Sequence, residues 1–300
     1  MSDAPLDLSS LAILVSHDRS GSHFLGSFIK ALPGNRMVDE VCNEDALDPA
    51  TNPMSFLGYR HNRALEVPDY GRRRNPKVVS QLLDEYFRFV VEQFPGENVT
   101  IDVKYGHVHN FEAAWWPIFR RPFLFEYARR NKIRIVHLSR WNTLETVISS
   151  LVAESRKLWH AIGDRPQAQA SEAVTVDTRQ LLEQIETLNE QKAAFFRWTR
   201  GLKCLPVIYE ELVNPDTGHE IRQRVAQFLD SAAPAGFQSP YRKVTPSMQV
   251  IVRNWDEVKK FCRDNELAHY LLPITASGDS PEAAAGTADP KAAEPEAHES

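Results

Sequence analysis

Several features are scarce in these 300 residues. Cysteine occurs three times, as Cys42, Cys204 and Cys262, an odd and widely scattered set. That excludes a disulfide framework, provides no metal-ligand spacing and fits a reducing compartment. Basic residues are not in excess: the formal net charge is −5, which argues against nucleic acid as a partner. No apolar run approaches the ~18–20 residues of a membrane span. Met1 to Ser10 is polar and acidic rather than a signal sequence. A cytoplasmic chain without a transmembrane segment is the expectation. Gly-x-x-x-x-Gly-Lys-Ser/Thr and Gly-x-Gly-x-x-Gly are both missing, which disfavours ATP, GTP and NAD.

What is present begins with a hydrophobic content of 42%, enough for one large core in a single domain. Residues 1–274 form that domain in this reading. Residues 275–300, rich in Ala, Pro and Glu, cannot bury enough apolar surface to order themselves and are expected to be a disordered tail. The most informative stretch is Leu11 to Phe24. An apolar run, Leu11 to Val15, turns polar through Ser16 to Ser22 and resumes as an amphipathic segment with Phe24, Leu25, Phe28 and Ile29. That pattern predicts a buried strand, a tight loop and a helix. Backbone N–H groups and the helix dipole at such a junction favour an anion, and Arg19, Ser20, Ser22 and His23 add donors. A polar turn capped by Ser20 or Ser22 is the alternative.

Further strands are predicted at Val99 to Tyr105, Ile133 to Leu138 and Cys204 to Tyr209. Helices are predicted from Pro76 to Pro95, from Asn142 onward with Leu144, Val147, Ile148 and Leu151 as its stripe, and from Thr178 to Arg200. Ala46 to Asn75 reads as irregular, because Pro49, Pro53, Gly58, Pro68 and Gly71 interrupt it. It holds Arg72, Arg73 and Arg74, which read as a solvated loop or as a contact surface for an anionic acceptor. Trp159 to Ala173 also reads as irregular, and both segments are candidates for shaping an acceptor pocket. Strands alternating with helices give an α/β domain with a mainly parallel sheet flanked by helices. Ligands of such sheets sit beyond the carboxyl ends of the strands. Three strand ends carry polar clusters there: Arg19 to His23, Lys104 to His109, and Arg140 to Ser149.

Together these segments resemble the sulfotransferases that use 3′-phosphoadenosine 5′-phosphosulfate (PAPS), most of all the bacterial carbohydrate, nodulation-type branch. Arg19-Ser20-Gly21-Ser22-His23-Phe24 is similar to that family's 5′-phosphosulfate loop. Ile135 to Arg140, with Ser149 nine positions on, is similar to its 3′-phosphate motif. Ile208-Tyr209-Glu210-Glu211-Leu212 resembles its Tyr-Glu-Asp-Leu. Arg242 to Pro246 and Ile251 to Val258 resemble its terminal region. The likeness spans about residues 10 to 272. Two positions depart from the pattern: His23 stands where Thr is usual, and many members have eight positions between the Arg and the Ser.

The resemblance implies a P-loop-like three-layer domain and transfer of a sulfuryl group to a carbohydrate, glycolipid-like or small-molecule hydroxyl. PAPS would be the co-substrate, and no metal is required. Such a reaction depends on positioning and charge stabilisation. Arg19, Ser20, Gly21, Ser22, His23 and Phe24 would form the 5′-phosphosulfate side, with Arg140 and Ser149 holding the 3′-phosphate. Glu40, just after the first helix, matches the catalytic Glu of the carbohydrate branch. His107 is the rival base, since Lys104-x-x-His107 is close to the Lys-x-His of the small-molecule branch. Lys104 would contact the transferring group. A homodimer stays open. An ATP-dependent, P-loop-like kinase and a non-catalytic nucleotide- or glycan-binding protein are the other readings.

Overall fold

The structure, a computed structural model, describes residues 8–43, 52–117, 119–156, 173–240 and 247–272. The Arg242 to Pro246 motif, residues 159–172 of the second irregular stretch and the expected tail lie outside them. The element order is β1 (Leu11–Ser16), α1 (Ser22–Ala31), β2 (Asn35–Val38), α2 (Phe56–Glu66), α3 (Pro68–Arg72), α4 (Pro76–Glu92) and β3 (Asn98–Lys104), then a 3-10 turn (Tyr105–Phe111). It continues with α5 (Phe123–Arg130), β4 (Arg134–Ser139), α6 (Thr143–Arg156), α7 (Thr178–Thr199), β5 (Cys204–Ile208), α8 (Tyr209–Val213) and α9 (Gly218–Phe228). The last elements are α10 (Met248–Ile251), α11 (Trp255–Asp264) and a 3-10 turn (Ala268–Leu271).

The five strands form one all-parallel sheet in the order β2-β3-β1-β4-β5. Every residue of β1 and β4 is buried, as expected of parallel strands covered on both faces. Alternation then sorts β1 between two cores. Leu11, Ile13 and Val15 join α4, α5 and Phe195 of α7, while Ala12 and Leu14 join α1, α8 and α9. The result is a three-layer α/β domain. A third cluster joins α6, α7 and α11 beside the sheet. Among the described residues no helix is long and apolar enough to cross a membrane.

The expected irregularity between Ala46 and Asn75 is corrected over residues 56–66 and 68–72, which are helical. Pro68 marks a helix start, while Gly58 and Gly71 lie within helices. Ser55 caps α2 by accepting from the Gly58 N–H at 3.2 Å, and Pro68 occupies the first turn of α3. Tertiary burial holds α2 in place, with Phe56 stacked on Phe111 at 4.4 Å between ring centres.

Register decides where the loops emerge. Ser16 pairs with Lys104 on one side and Leu138 on the other, and Ser139 pairs with Ile208. The carboxyl ends of β3, β1, β4 and β5 therefore lie level, and one rim carries the segments that start at His17, Tyr105, Arg140 and Tyr209. The opposite end of β4 is pinned by buried Arg134, which donates to the carbonyls of Ser9 and Phe228 at 2.8 and 3.2 Å.

Candidate active site

The loop after β1 is held in an uncommon conformation. Arg19 has φ 61° and Gly21 has φ 88°, both left-handed. Glycine is required at position 21 for a second reason: an added Cβ would lie 2.2 Å from Cδ2 of Tyr209, whose ring covers the loop. Gly21 is the N-cap of α1, and no side chain among the described residues caps the first turn. Neither Ser20 nor Ser22 does so. Ser22 Oγ accepts from Lys104 Nζ at 2.7 Å, and buried Ser20 Oγ has no hydrogen-bond partner among the described residues. A helix start left without a side-chain cap, beside an orphaned buried hydroxyl, can accept an anion.

Arg19 links this loop to the third strand-end cluster. Its Nε donates to Ser149 Oγ at 3.2 Å, across 130 positions of sequence. Arg140 Nη1 donates to the Arg19 carbonyl at 3.3 Å. Burial, and then the Arg140 charge, lower the Arg19 pKa from its ordinary value. Two guanidinium groups brought this close favour an anion between them. Arg140 is also matched internally. Its Nη2 meets Glu145 Oε2 at 2.6 Å, its Nε lies 3.8 Å from Glu210 Oε1, and it sits 5.1 Å over the Tyr209 ring. A phosphate on Arg140 would compete with Glu145 for its Nη2.

The α6 start is built from both sides. Asn142 Oδ1 accepts from the Glu145 N–H at 2.9 Å and so caps the helix predicted from Asn142 onward. Glu145 turns to Arg140 instead of closing the capping box. The carboxylate of Glu210 completes the cap, accepting from the N–H groups of Trp141 and Asn142 at 2.9 and 3.0 Å.

The second cluster lies on the other side of β1. Lys104 is buried beneath the loop, with its ammonium 2.7 Å from Asp102 Oδ2 and 3.6 Å from Glu40 Oε1. Burial works to lower the Lys104 pKa, but the Asp102 and Glu40 carboxylates outweigh it and raise the value. Burial pushes the Asp102 carboxyl up to about 6 against the pull of Lys104. Glu40 reaches this cluster from the end of β2. Its backbone sits at φ 34°, and the next residue's N–H bonds the Asp102 carbonyl at 3.2 Å. Its second oxygen accepts from Asn43 Nδ2 at 3.3 Å. A carboxylate residue held at positive φ beside a buried lysine has a fixed orientation and some stored strain. His23 Nε2 is 3.8 Å from Glu40. Burial, and then Lys104, hold the His23 pKa down to about 4, so the imidazole is neutral at pH 7.

Thus Arg19, Ser20, Gly21, Ser22, His23, Glu40, Lys104, Arg140 and Ser149 occupy one rim. Phe24 belongs to the core beside it, edge-on to Phe237 at 5.9 Å. Among the described residues His107 makes no hydrogen bond or ion pair with this set, and its Nδ1 is buried without a partner. His109 is exposed.

No protein-family model and no curated protein matches the chain. The site therefore rests on its own geometry. That geometry includes residues that the sequence left without a role. Asp102 was legible in principle, as an acid in an apolar strand two positions before Lys104 and hence on the same face. Lys192 occupies the buried stripe of α7 set by Leu181, Ile185 and Leu188, and donates to the Arg140 carbonyl and to Thr143 Oγ1. It holds the β4–α6 loop from below. Arg73, within the basic run, is half-buried, and its Nη1 donates to the carbonyls of His109, Asn110 and Glu112 at 3.3, 3.0 and 3.1 Å. In the terminal motif, the Asn254 amide pairs with both backbone groups of Val176 at 2.9 Å, bracing the start of α7.

Proposed function

We propose that this chain is a PAPS-dependent sulfotransferase of the nodulation-type carbohydrate branch, acting on a hydroxyl of a carbohydrate or glycolipid-like acceptor. The observation that carries the reading is the start of α1, with no side-chain cap, whose Arg19 reaches Ser149 across the rim. Two anion-binding elements from distant parts of the chain share one site, as a donor with two phosphate positions requires.

The residues fit such a donor as follows. The amides of Gly21, Ser22 and His23 and the Arg19 guanidinium meet the charge that grows on the leaving 5′-phosphate. Arg140 and Ser149 receive the 3′-phosphate once Glu145 swings aside. Glu40, fixed by Lys104 and Asn43, takes the proton of the acceptor hydroxyl as its oxygen bonds to sulfur and the sulfur–oxygen bond to the phosphate breaks. Neutral His23 can donate beside Glu40 without adding charge. Lys104, fully used by Asp102, Ser22 and Glu40, positions the base and the loop. His107, without a contact to this set, is the weaker base.

Thermal shift with 3′,5′-bisphosphoadenosine, compared with ATP and Mg²⁺, tests the reading. Ligand at 100 times its Kd stabilises by ~2.7 kcal/mol. A shift with the bisphosphate is expected; a shift with ATP and none with the bisphosphate rejects the proposal.

A further inference from the structure

Residues 112–117 and 119–121 join the Tyr105–Phe111 turn to α5. They carry the two most exposed large apolar side chains of the described residues, Trp115 at 97% and Phe119 at 86%. A ring exposed to that degree has almost nothing beside it, so it protrudes and does not line a groove. The segment beneath is anchored. Trp116 packs edge-on to Phe123 at 5.1 Å, and its Nε1–H donates to the Arg121 carbonyl at 3.0 Å. The Ala114 N–H donates to the Arg73 carbonyl at 2.7 Å, which ties the loop to the end of α3. Trp115 itself has φ 65°, a conformation unfavourable for a bulky residue. The chain thus maintains an uncommon backbone in order to hold a tryptophan in solvent.

The surroundings are basic. Arg72 and Arg74 flank the Arg73–Ala114 bond and are exposed, as is Arg120. Asp69 offsets part of this charge, 3.6 Å from Arg72. On a chain of net charge −5, this patch has the opposite sign to the whole. Leu65, 75% exposed near the end of α2, adds an exposed apolar side chain on the helix whose Ala64 faces Gly71 of α3. Protruding Trp and Phe on a loop tied to exposed arginines match the boundary between headgroups and acyl chains, where aromatic rings settle and anionic lipid attracts cations.

We propose that this loop docks the chain on the surface of an anionic lipid bilayer, with Trp115 and Phe119 at the headgroup boundary and Arg72, Arg74 and Arg120 against lipid phosphates. The proposal does not depend on the transfer chemistry. Co-sedimentation of the full chain with vesicles of mixed phosphatidylcholine and phosphatidylglycerol tests it. Wild type should pellet with the mixed vesicles and far less with phosphatidylcholine alone. Trp115→Asn with Phe119→Ser should remove binding; Asn tolerates the left-handed backbone. Arg72→Gln with Arg74→Gln, which leaves the aromatic tip intact, should weaken binding roughly thirtyfold, from about one kcal/mol per arginine. Absence of wild-type binding overturns the proposal, as does unchanged binding by both double variants. Self-association of the wild type that the aromatic variant abolishes also overturns it, because the patch would then belong to a second copy.

Discussion

Substituting Gly21 by Ala tests the packing that shapes the loop. Two costs add. Alanine at φ 88° takes on left-handed strain of about 1–2 kcal/mol. Its Cβ would also lie 2.2 and 2.3 Å from two carbons of the Tyr209 ring, so the ring must shift. Overpacking of that kind costs about 1–3 kcal/mol. The sum, about 2–5 kcal/mol, is a large part of a typical domain's stability. Urea unfolding of wild type, Gly21→Ala, Tyr209→Ala and the double variant separates the two costs. Without the tyrosine ring only the strain remains, so the cycle should give an interaction energy of about 1–3 kcal/mol. The Gly21→Ala variant should also bind anions poorly, because Tyr209 carries Arg140 on its face. A Gly21→Ala variant within ~0.5 kcal/mol of wild type would refute the reasoning. So would an equal cost with and without Tyr209.

Three further outcomes are expected. Glu40→Gln should retain bisphosphate affinity and lower kcat at least ~100-fold in sulfate transfer assays; near-normal turnover would move the base to His107. Glu145→Gln, which frees Arg140 from its 2.6 Å partner, should tighten bisphosphate binding by roughly fivefold in calorimetry, a gain of about 1 kcal/mol. Weaker binding would count against a 3′-phosphate on Arg140. Stability should fall on acidification. His23 and His137 are each held down to about 4 by burial, against 6.5 when unfolded, so below pH 6.5 the unfolded chain takes up protons that the native chain refuses. Asp102, pushed up to about 6 from 3.8, binds its proton first in the native chain and opposes that loss over its own range. Two groups against one leave a net loss as pH falls from about 6 to 4, and a urea midpoint that rises as pH falls through this range would contradict the assignment.

Element identity was largely readable, because periodicity is local. The helix opened by Pro76 ends at Glu92, close to the Pro95-Gly96 that marks it, and Asn142 caps α6 as its position suggests. Residues 56–72 misled because Gly58, Pro68 and Gly71 can start or sit within a helix as readily as they break one, and burial of Phe56 and Tyr70 decides between those outcomes. The partners of charged residues were less legible. Glu210 in its motif carries no sign that it caps a helix about 70 positions away, and Lys192 looks like any polar interruption of a stripe.

By itself the sequence determined the α/β class and the presence of polar groups at three strand ends. Apolar period and turn chemistry act within a few residues and need no partner to be read. The tertiary structure decided that β3, β1 and β4 are neighbours in level register. It also decided that the helix after β1 starts without a side-chain cap, and that Arg19 meets Ser149 while Glu40 meets Lys104. Those outcomes depend on strand pairing and on which carboxylate reaches which cation. Both are set by contacts between segments far apart in the chain, for which a linear pattern has no signal.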